Sequence, residues 1–250
     1  MNLGARGRTL LCVAAMFAAS ASIIADAQTP ASDPFGLTLH APRKVVLYVH
    51  ASLSDTGFVD LLACMLQNTL RAPVSTKRVD FPLGQNLLAT PTQLSAEKLI
   101  SAFYASAAAS EPRGTFSFLL LSDDLKAEPF HYVFSQADGL YSVGVLSTAR
   151  LDPGGFAPTP KAREDITALR AYKLLVKAVA RLSGYYAQQG CVLAFPRSLD
   201  ELDAKSKEFC PDDRGVLVAA GILKPKEDKG CGLIADLDMR ALRNDTGKAD

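Results

Sequence analysis

The sequence predicts a single α/β domain with a mixed β-sheet and a small helical C-terminal part. Three observations carry this. The periodicity of the chain reads β-α-β-α-β-β-β-α-α, which no all-α or all-β architecture accommodates. "TFSFLLLS" (115–122) is an uninterrupted apolar run of strand length, the pattern of a strand covered on both faces. "EDITALRAYKLLVKAVARLSGYYAQQ" (164–189) reads as the longest helix, with Ile166, Leu169, Tyr172, Val176, Val179 and Tyr186 broadly on one face. A chain of 250 residues that is 48% hydrophobic and 21% charged is ample for one such core.

In chain order, residues 1–27 have the form of a secretory signal peptide. "MNLGARGR" supplies two arginines, "TLLCVAAMFAASASIIA" is an apolar run, and Ala25-Asp26-Ala27 is an A-x-A cleavage site. The run is too short and too rich in Ala and Ser to span a bilayer comfortably, so no membrane anchor is expected after cleavage. Cleavage removes two of the 27 basic residues (Arg6, Arg8) and one of the 26 acidic ones (Asp26), so 25 of each remain. That balance leaves no basic footprint for nucleic acid, and it implies a neutral, exported protein, periplasmic or secreted. Residues 28–43 are Pro-rich and read as an extended arm. The domain proper is placed at 44–225, and 226–250 as a C-terminal extension.

Within the domain, the β-branched "KVVLYVHA" (44–51) is a buried strand. Ser54 or Asp55 can cap "TGFVDLLACMLQNTL" (56–70), whose apolar residues recur at helical spacing. "VSTKRVDF" (74–81) alternates like a half-exposed strand, and "PLGQNLLATPT" reads as loop. Ser95 is placed to cap the helix in "LSAEKLISAFYASAAAS" (94–110). After the central strand, "FHYVFSQ" and "YSVGVLS" flank the turn "ADGL" and suggest a hairpin. "DPGGFAPTPKAR" is a Gly/Pro loop. Ser198-Leu199-Asp200-Glu201 fits the S-x-x-E capping box of a helix running to near Cys210. "GVLVAAGILKP" is short and apolar with Gly221 as its stop, "CGLIADLDMRAL" forms a last short helix, and "RNDTGKAD" is tail.

Export changes the reading of the cysteines. Cys12 leaves with the signal, and an oxidising compartment favours disulfides among Cys64, Cys191, Cys210 and Cys231. Cys64 lies in an apolar helical run and reads as a small buried hydrophobe.

Three blocks in one order carry a resemblance. They are "FLLLSDDLKAEPFHYVFSQADGLYSVGVLSTARL" (118–151), "KAVARLSG" (177–184) and "CVLAFPRSLDELDAKSKEFCPDD" (191–213). Together they make the chain similar to the archaemetzincins, zinc-dependent metallopeptidase-like proteins of the metzincin group, over roughly residues 44 to 215. The resemblance implies a metzincin-like domain in which the long helix is a former active-site helix. It also implies that the family's functional residues are missing. The zinc helix H-E-x-x-H-x-x-G-x-x-H-C places its first His on Ala180, its general base Glu on Arg181 and its second His on Gly184. The third falls on or near Gly190. The three histidines are His40, His50 and His131, so nothing after residue 131 supplies imidazole. Arg181 would set a fixed cation where the family holds Zn²⁺.

The family's structural Cys₄ zinc site is equally depleted. Cys191 and Cys210 match two of its ligands, Asp213 stands at a third, and the fourth has no counterpart. A Cys191–Cys210 disulfide holding the same loop and helix is the favoured substitute, with Cys210–Cys231 as the rival pairing. The Met-turn methionine becomes Leu193, which keeps an apolar floor. No zinc or other cofactor is expected. The chain is read as a pseudo-metallopeptidase that binds a peptide or protein in the residual cleft, lined by the hairpin at 131–147. Two alternatives stand beside it. One is a hydrolase with a non-standard site, such as a Cys with His131, although no G-x-S-x-G elbow exists. The other is a purely structural envelope protein that uses the loop at 148–165 as a contact surface.

Overall fold

The computed structural model describes residues 38–187, 190–226 and 230–231. The expected signal peptide, most of the extended arm, the last short helix and the tail lie outside the described residues.

The main sheet has five strands: β1 (Lys44–His50), β2 (Val74–Val79), β5 (Thr115–Leu121), β8 (Ser135–Asp138) and β9 (Val143–Ser147). Their order is β2-β1-β5-β9-β8, with all neighbours parallel except the β8/β9 edge pair. The apolar run at 115–122 does occupy the sheet centre, and every residue of β5 is buried. Alternation along the strands sorts side chains into two cores. Val45, Leu47, Val49, Phe116, Phe118 and Leu120 face one, and Val46, Tyr48, Leu119 and Leu121 face the other.

The first core is closed by α1 (Gly57–Thr69) and α3 (Pro160–Leu182), with α4 (Leu199–Ala204) and α5 (Pro211–Ala219) beyond. The second is closed by α2 (Ala96–Ser106) and a small sheet. That sheet contains β3 (Leu88–Thr90), β4 (Gln93–Ser95), β6 (Leu125–Ala127) and β7 (Phe130–Val133) in the order β3-β4-β6-β7. The mixed sheet and the helical C-terminal part agree with the predicted class.

Several elements differ in detail. The segment 82–92 is not plain loop, because a 3₁₀ turn (Gln85–Leu87) and β3 interrupt it. The expected hairpin splits at Phe134. Residues 130–133 pair with β6 in the small sheet, and only 135–138 pair with β9. For α1, neither Ser54 nor Asp55 is the N-cap. Thr56 holds that position without a side-chain bond, and the Asp55 carboxylate accepts from the Gly57 N–H at 3.2 Å. Ser95 caps α2 as expected, accepting from the Lys98 N–H.

Helix α3 begins earlier than the periodicity predicted, because Thr159 caps it and Pro160 supplies a preset φ at its first position. It also ends earlier, at Leu182. Gly184 follows at φ +89°, the left-handed conformation that terminates helices, so Tyr186 lies beyond α3 and is exposed. The helix is buried nearly all round and takes Asp165, Arg170 and Lys173 inside with it. One of its buried polar contacts is a two-pronged ion pair. Arg170 Nε and Nη2 each donate to Asp203 at 2.7 Å, and Nη1 donates to the Leu151 carbonyl at 2.7 Å. Beside it, Lys173 Nζ donates to the Leu202 and Asp203 carbonyls and closes the end of α4.

The cysteines require one correction. Cys64 is not a free buried thiol but is joined to Cys231, with a Cα–Cα separation of 5.7 Å. The chain leaving α5 runs back along the end of α1, which brings Cys231 to it. Arg71 N–H donates to Ile222 O, Lys224 N–H donates to Thr69 O, and Leu70 bridges Leu223. Cys191 and Cys210 form the second disulfide, so the rival Cys210–Cys231 pairing does not occur.

Candidate functional site

A cleft of about 420 Å³ opens between α3, β8 and the loop 195–197. Its first wall is the edge of the main sheet. The Ser147 N–H donates to the Phe134 carbonyl at 2.9 Å, which makes Phe134/Ser147 a hydrogen-bonded pair. Alternation along the antiparallel ladder then makes Gln136/Val145 and Asp138/Val143 bonded pairs. Ser135 and Ala137 consequently turn their N–H and C=O groups away from β9, toward the open edge, and both residues line the cleft.

The second wall is α3, through Leu174, Lys177, Ala178 and Arg181. These positions fall at i, i+3, i+4 and i+7, one face of the helix. Phe195, Pro196 and Arg197 form the third side, and two contacts tie them to β7. The Phe130 and Phe195 ring centroids lie 5.8 Å apart, and Tyr132 Oη donates to the Arg197 carbonyl at 3.4 Å. The capping box sets this loop. Ser198 Oγ accepts from the Glu201 N–H at 3.2 Å, while the Glu201 carboxylate reaches back to the Arg197 N–H at 2.7 Å and the Arg197 guanidinium at 2.8 Å.

A second hollow, of about 520 Å³, adjoins the first beneath the end of α3, and Lys177, Arg181 and Phe195 line both. Ala180 and Leu193 line only the second. Leu193 is buried on the turn that follows Cys191, where Ala194 N–H donates to Gly190 O, and it supplies an apolar floor.

Of the positions that the sequence marked as degenerate, Ala180, Arg181 and Leu193 therefore come together in one hollow, and Gly184 stands apart. Gly184 lies past the helix end, and a Cβ there would sit 3.4 Å from the Thr38 carbonyl oxygen. An aliphatic methyl, a guanidinium and a glycine offer no lone pair to a metal, so the residues at this place do not fit zinc. Among the described residues no group of three or more His, Cys, Asp or Glu side chains is placed to hold a metal ion.

The remaining polar residues have other partners. His50 is buried, with Nε2 2.9 Å from the Phe81 carbonyl and Nδ1 accepting from the Ser52 N–H. His131 sits exposed on β7. Every described cysteine is in a disulfide, so none is available to His131 as a nucleophile. Asp213, at the depleted Cys₄ site, accepts from Tyr185 Oη at 2.6 Å, and Tyr185 is packed into the core.

Electrostatics distinguish the α3 wall. Burial, helped by the Arg181 guanidinium one turn away, pushes the Lys177 ammonium down to about 8. Its Nζ sits 4.1 Å from the Phe195 ring centroid, a cation–π contact. Lys205, whose Nζ donates to the Ala194 carbonyl, is pushed down to about 7 by burial and by Lys177 and Lys173.

Lys177, Phe195 and Arg197 were not singled out from sequence. The available signal was the i, i+4 spacing of Lys177 and Arg181 on a helix whose neighbours are apolar. Of the hairpin expected to line the cleft, Tyr132 to Ala137 do so and residues 138–147 do not.

Comparison with solved structures gives the fold a relationship. The chain is similar to a zinc-dependent peptidase from Methanocorpusculum labreanum at 22% identity, covering 69% of this chain and 99% of that one with a TM-score of 0.57. It is similar to archaemetzincin from Methanopyrus kandleri at 22% identity, covering 71% and 95% with a TM-score of 0.56. It is also similar to archaemetzincin from Archaeoglobus fulgidus, solved in complex with malonate, at 18% identity, covering 69% and 99% with a TM-score of 0.54. No family model and no curated protein matches the sequence. The fold is archaemetzincin-like.

Proposed function

We propose that this chain is an exported, non-catalytic protein of archaemetzincin-like fold that holds an extended peptide or protein segment in its cleft without cleaving it and without resident zinc. The single observation that carries the reading is the outer edge of β8, which no described strand pairs. Ser135 and Ala137 present main-chain donors and acceptors to a groove whose opposite wall is helix α3. An extended segment laid along that edge adds a strand to the sheet, so affinity comes from main-chain bonds and selectivity from the side chains of the opposing wall. Cleavage would need a polarised water, and Ala180, Arg181 and Gly184 supply neither metal ligands nor a general base. Export is supported by the form of residues 1–27 and by two disulfides. Among the described residues no helix is long and apolar enough to cross a membrane.

The test uses the oxidised protein with residues 1–27 removed. Hexapeptide libraries bind, and N-methylation at alternate backbone positions abolishes binding while the intervening register tolerates it. Elemental analysis finds less than stoichiometric zinc, and the bound peptides are recovered intact. Stoichiometric zinc with chelator-sensitive cleavage would refute the reading.

A further inference from the structure

Five charged residues line the peptide cleft: Glu97, Glu128, Lys177, Arg181 and Arg197. Two of them are paired with an opposite charge within the chain, and Glu97 keeps its charge but is engaged by neutral donors on the β8 side of the cleft. Glu128 pairs with Lys126 at 3.0 Å, and Arg197 pairs with Glu201 at 2.8 Å. Glu97 accepts from Ser95 Oγ at 2.9 Å and from Gln136 Nε2 at 3.3 Å.

The two α3 cations differ. Lys177 has the Phe195 ring at 4.1 Å and Arg181 has the Tyr186 ring at 5.6 Å, and no described carboxylate forms an ion pair with either. They stand one helical turn apart, about 6 Å along the axis, and both belong to the two adjoining hollows. Such an arrangement is unfavourable for the empty protein. Two like charges four residues apart repel, and one of them is largely removed from water. Aromatic faces relieve little of this, since a ring quadrupole is a weak substitute for a counter-ion.

We infer that Lys177 and Arg181 form a receptor for a carboxylate of the bound peptide, either an Asp or Glu side chain or the C-terminal group. The inference rests on the peptide-cleft reading above and adds the ligand's chemistry to it. A carboxylate fits the pair on geometric grounds. The planar guanidinium of Arg181 can take both oxygens side by side, and the Lys177 ammonium adds a compact charge without a fixed direction. Leu174, Ala178 and the Phe195 ring withhold water from the half-buried Lys177 and strengthen such a bond on its side, while Arg181 stays exposed to an incoming ligand. A neutral amide in the same place would leave the half-buried Lys177 charge uncompensated.

The experiment measures fluorescence anisotropy with fluorescein-labelled hexapeptide libraries in matched arms. One arm fixes two Glu residues and the next replaces them with Gln, each with a C-terminal acid and with a C-terminal amide. The expected result is about tenfold or tighter binding of whichever arm supplies the carboxylate, the size of a charge-assisted bond in a partly buried site. Comparing Glu with Gln and acid with amide tells the two sources apart. Lys177→Met and Arg181→Met each reduce that preference and together remove it, so that in the double variant the carboxylate arms bind no tighter than the Gln amide arm. Thermal midpoints no lower than that of the original protein verify that both variants fold. Equal affinity of all arms, lost on backbone N-methylation, overturns the carboxylate receptor while leaving the peptide cleft in place. Failure of every arm to bind overturns the cleft itself.

Discussion

Replacing Asp203 by Ala should be among the most damaging single changes to this protein. Arg170 is 4% exposed and Asp203 8%, and the guanidinium meets the carboxylate through two bonds of 2.7 Å. The third guanidinium bond goes to the Leu151 carbonyl and cannot compensate the charge. Asp203→Ala therefore leaves a permanent cation buried in the α3–α4 interface with one neutral acceptor. Removing one partner of such a pair costs about 3–5 kcal/mol, against a total of roughly 5–15 kcal/mol for an ordinary domain. Urea unfolding at neutral pH measures it as a fall in midpoint at unchanged m-value. The double variant Arg170→Met with Asp203→Leu should recover most of the loss, because it removes both desolvation penalties and fills the space. A loss below about 1 kcal/mol for Asp203→Ala would refute the assignment of an uncompensated buried charge. So would a double variant no more stable than the single one.

Two further predictions concern the crosslinks and the lysines. Cys191 and Cys210 are 19 residues apart and Cys64 and Cys231 are 167 apart, so the chain-entropy relation gives about 3 and about 5 kcal/mol for the two bonds. Paired Cys→Ser variants should lose stability in that order, and non-reducing peptide mass mapping should recover these two links; a Cys210–Cys231 peptide would contradict the pairing. Lys205 binds its proton with a folded value of about 7 against an ordinary 10.5. Between these limits the unfolded chain holds more protons, so this group's contribution to stability rises with pH and its cost is fully present below about 7. Urea titrations of the original protein and of Lys205→Met should show the difference between them moving in favour of the original from pH 7 to 10. A constant difference would show that Lys205 does not titrate in this window.

What was legible in the sequence was local. The caps at Ser95 and Ser198 each involve residues within three positions, and the continuous apolar run at 115–122 can only be a strand covered on both faces. Pairings set by distant returns of the chain were not legible. The Cys64–Cys231 bond depends on residues 222–224 coming back to α1, and no spacing around Cys64 announces that. The split at Phe134 was hidden because Phe130 to Gln136 alternates smoothly enough for one strand, whereas its two halves belong to different sheets. β3, β4 and β6 are three residues each, too short for a period to register. The cleft was only half legible. The absence of imidazole after residue 131 was plain from the sequence, but the cationic wall lay on a helix read for its apolar face, and Lys177 was not singled out.

Gly184 has a consequence for any attempt to build a metal site at the end of α3. Imidazoles four residues apart share one ion only while the backbone between them keeps winding, and here the winding stops at Leu182. Placing histidines at 180 and 184 would put the second on a residue at φ +89°, facing Thr38. The main chain would have to be rewound past Leu182 before two imidazoles at these positions could meet one ion. The path of the polypeptide, and not the side chains alone, thus keeps these two positions from sharing a ligand.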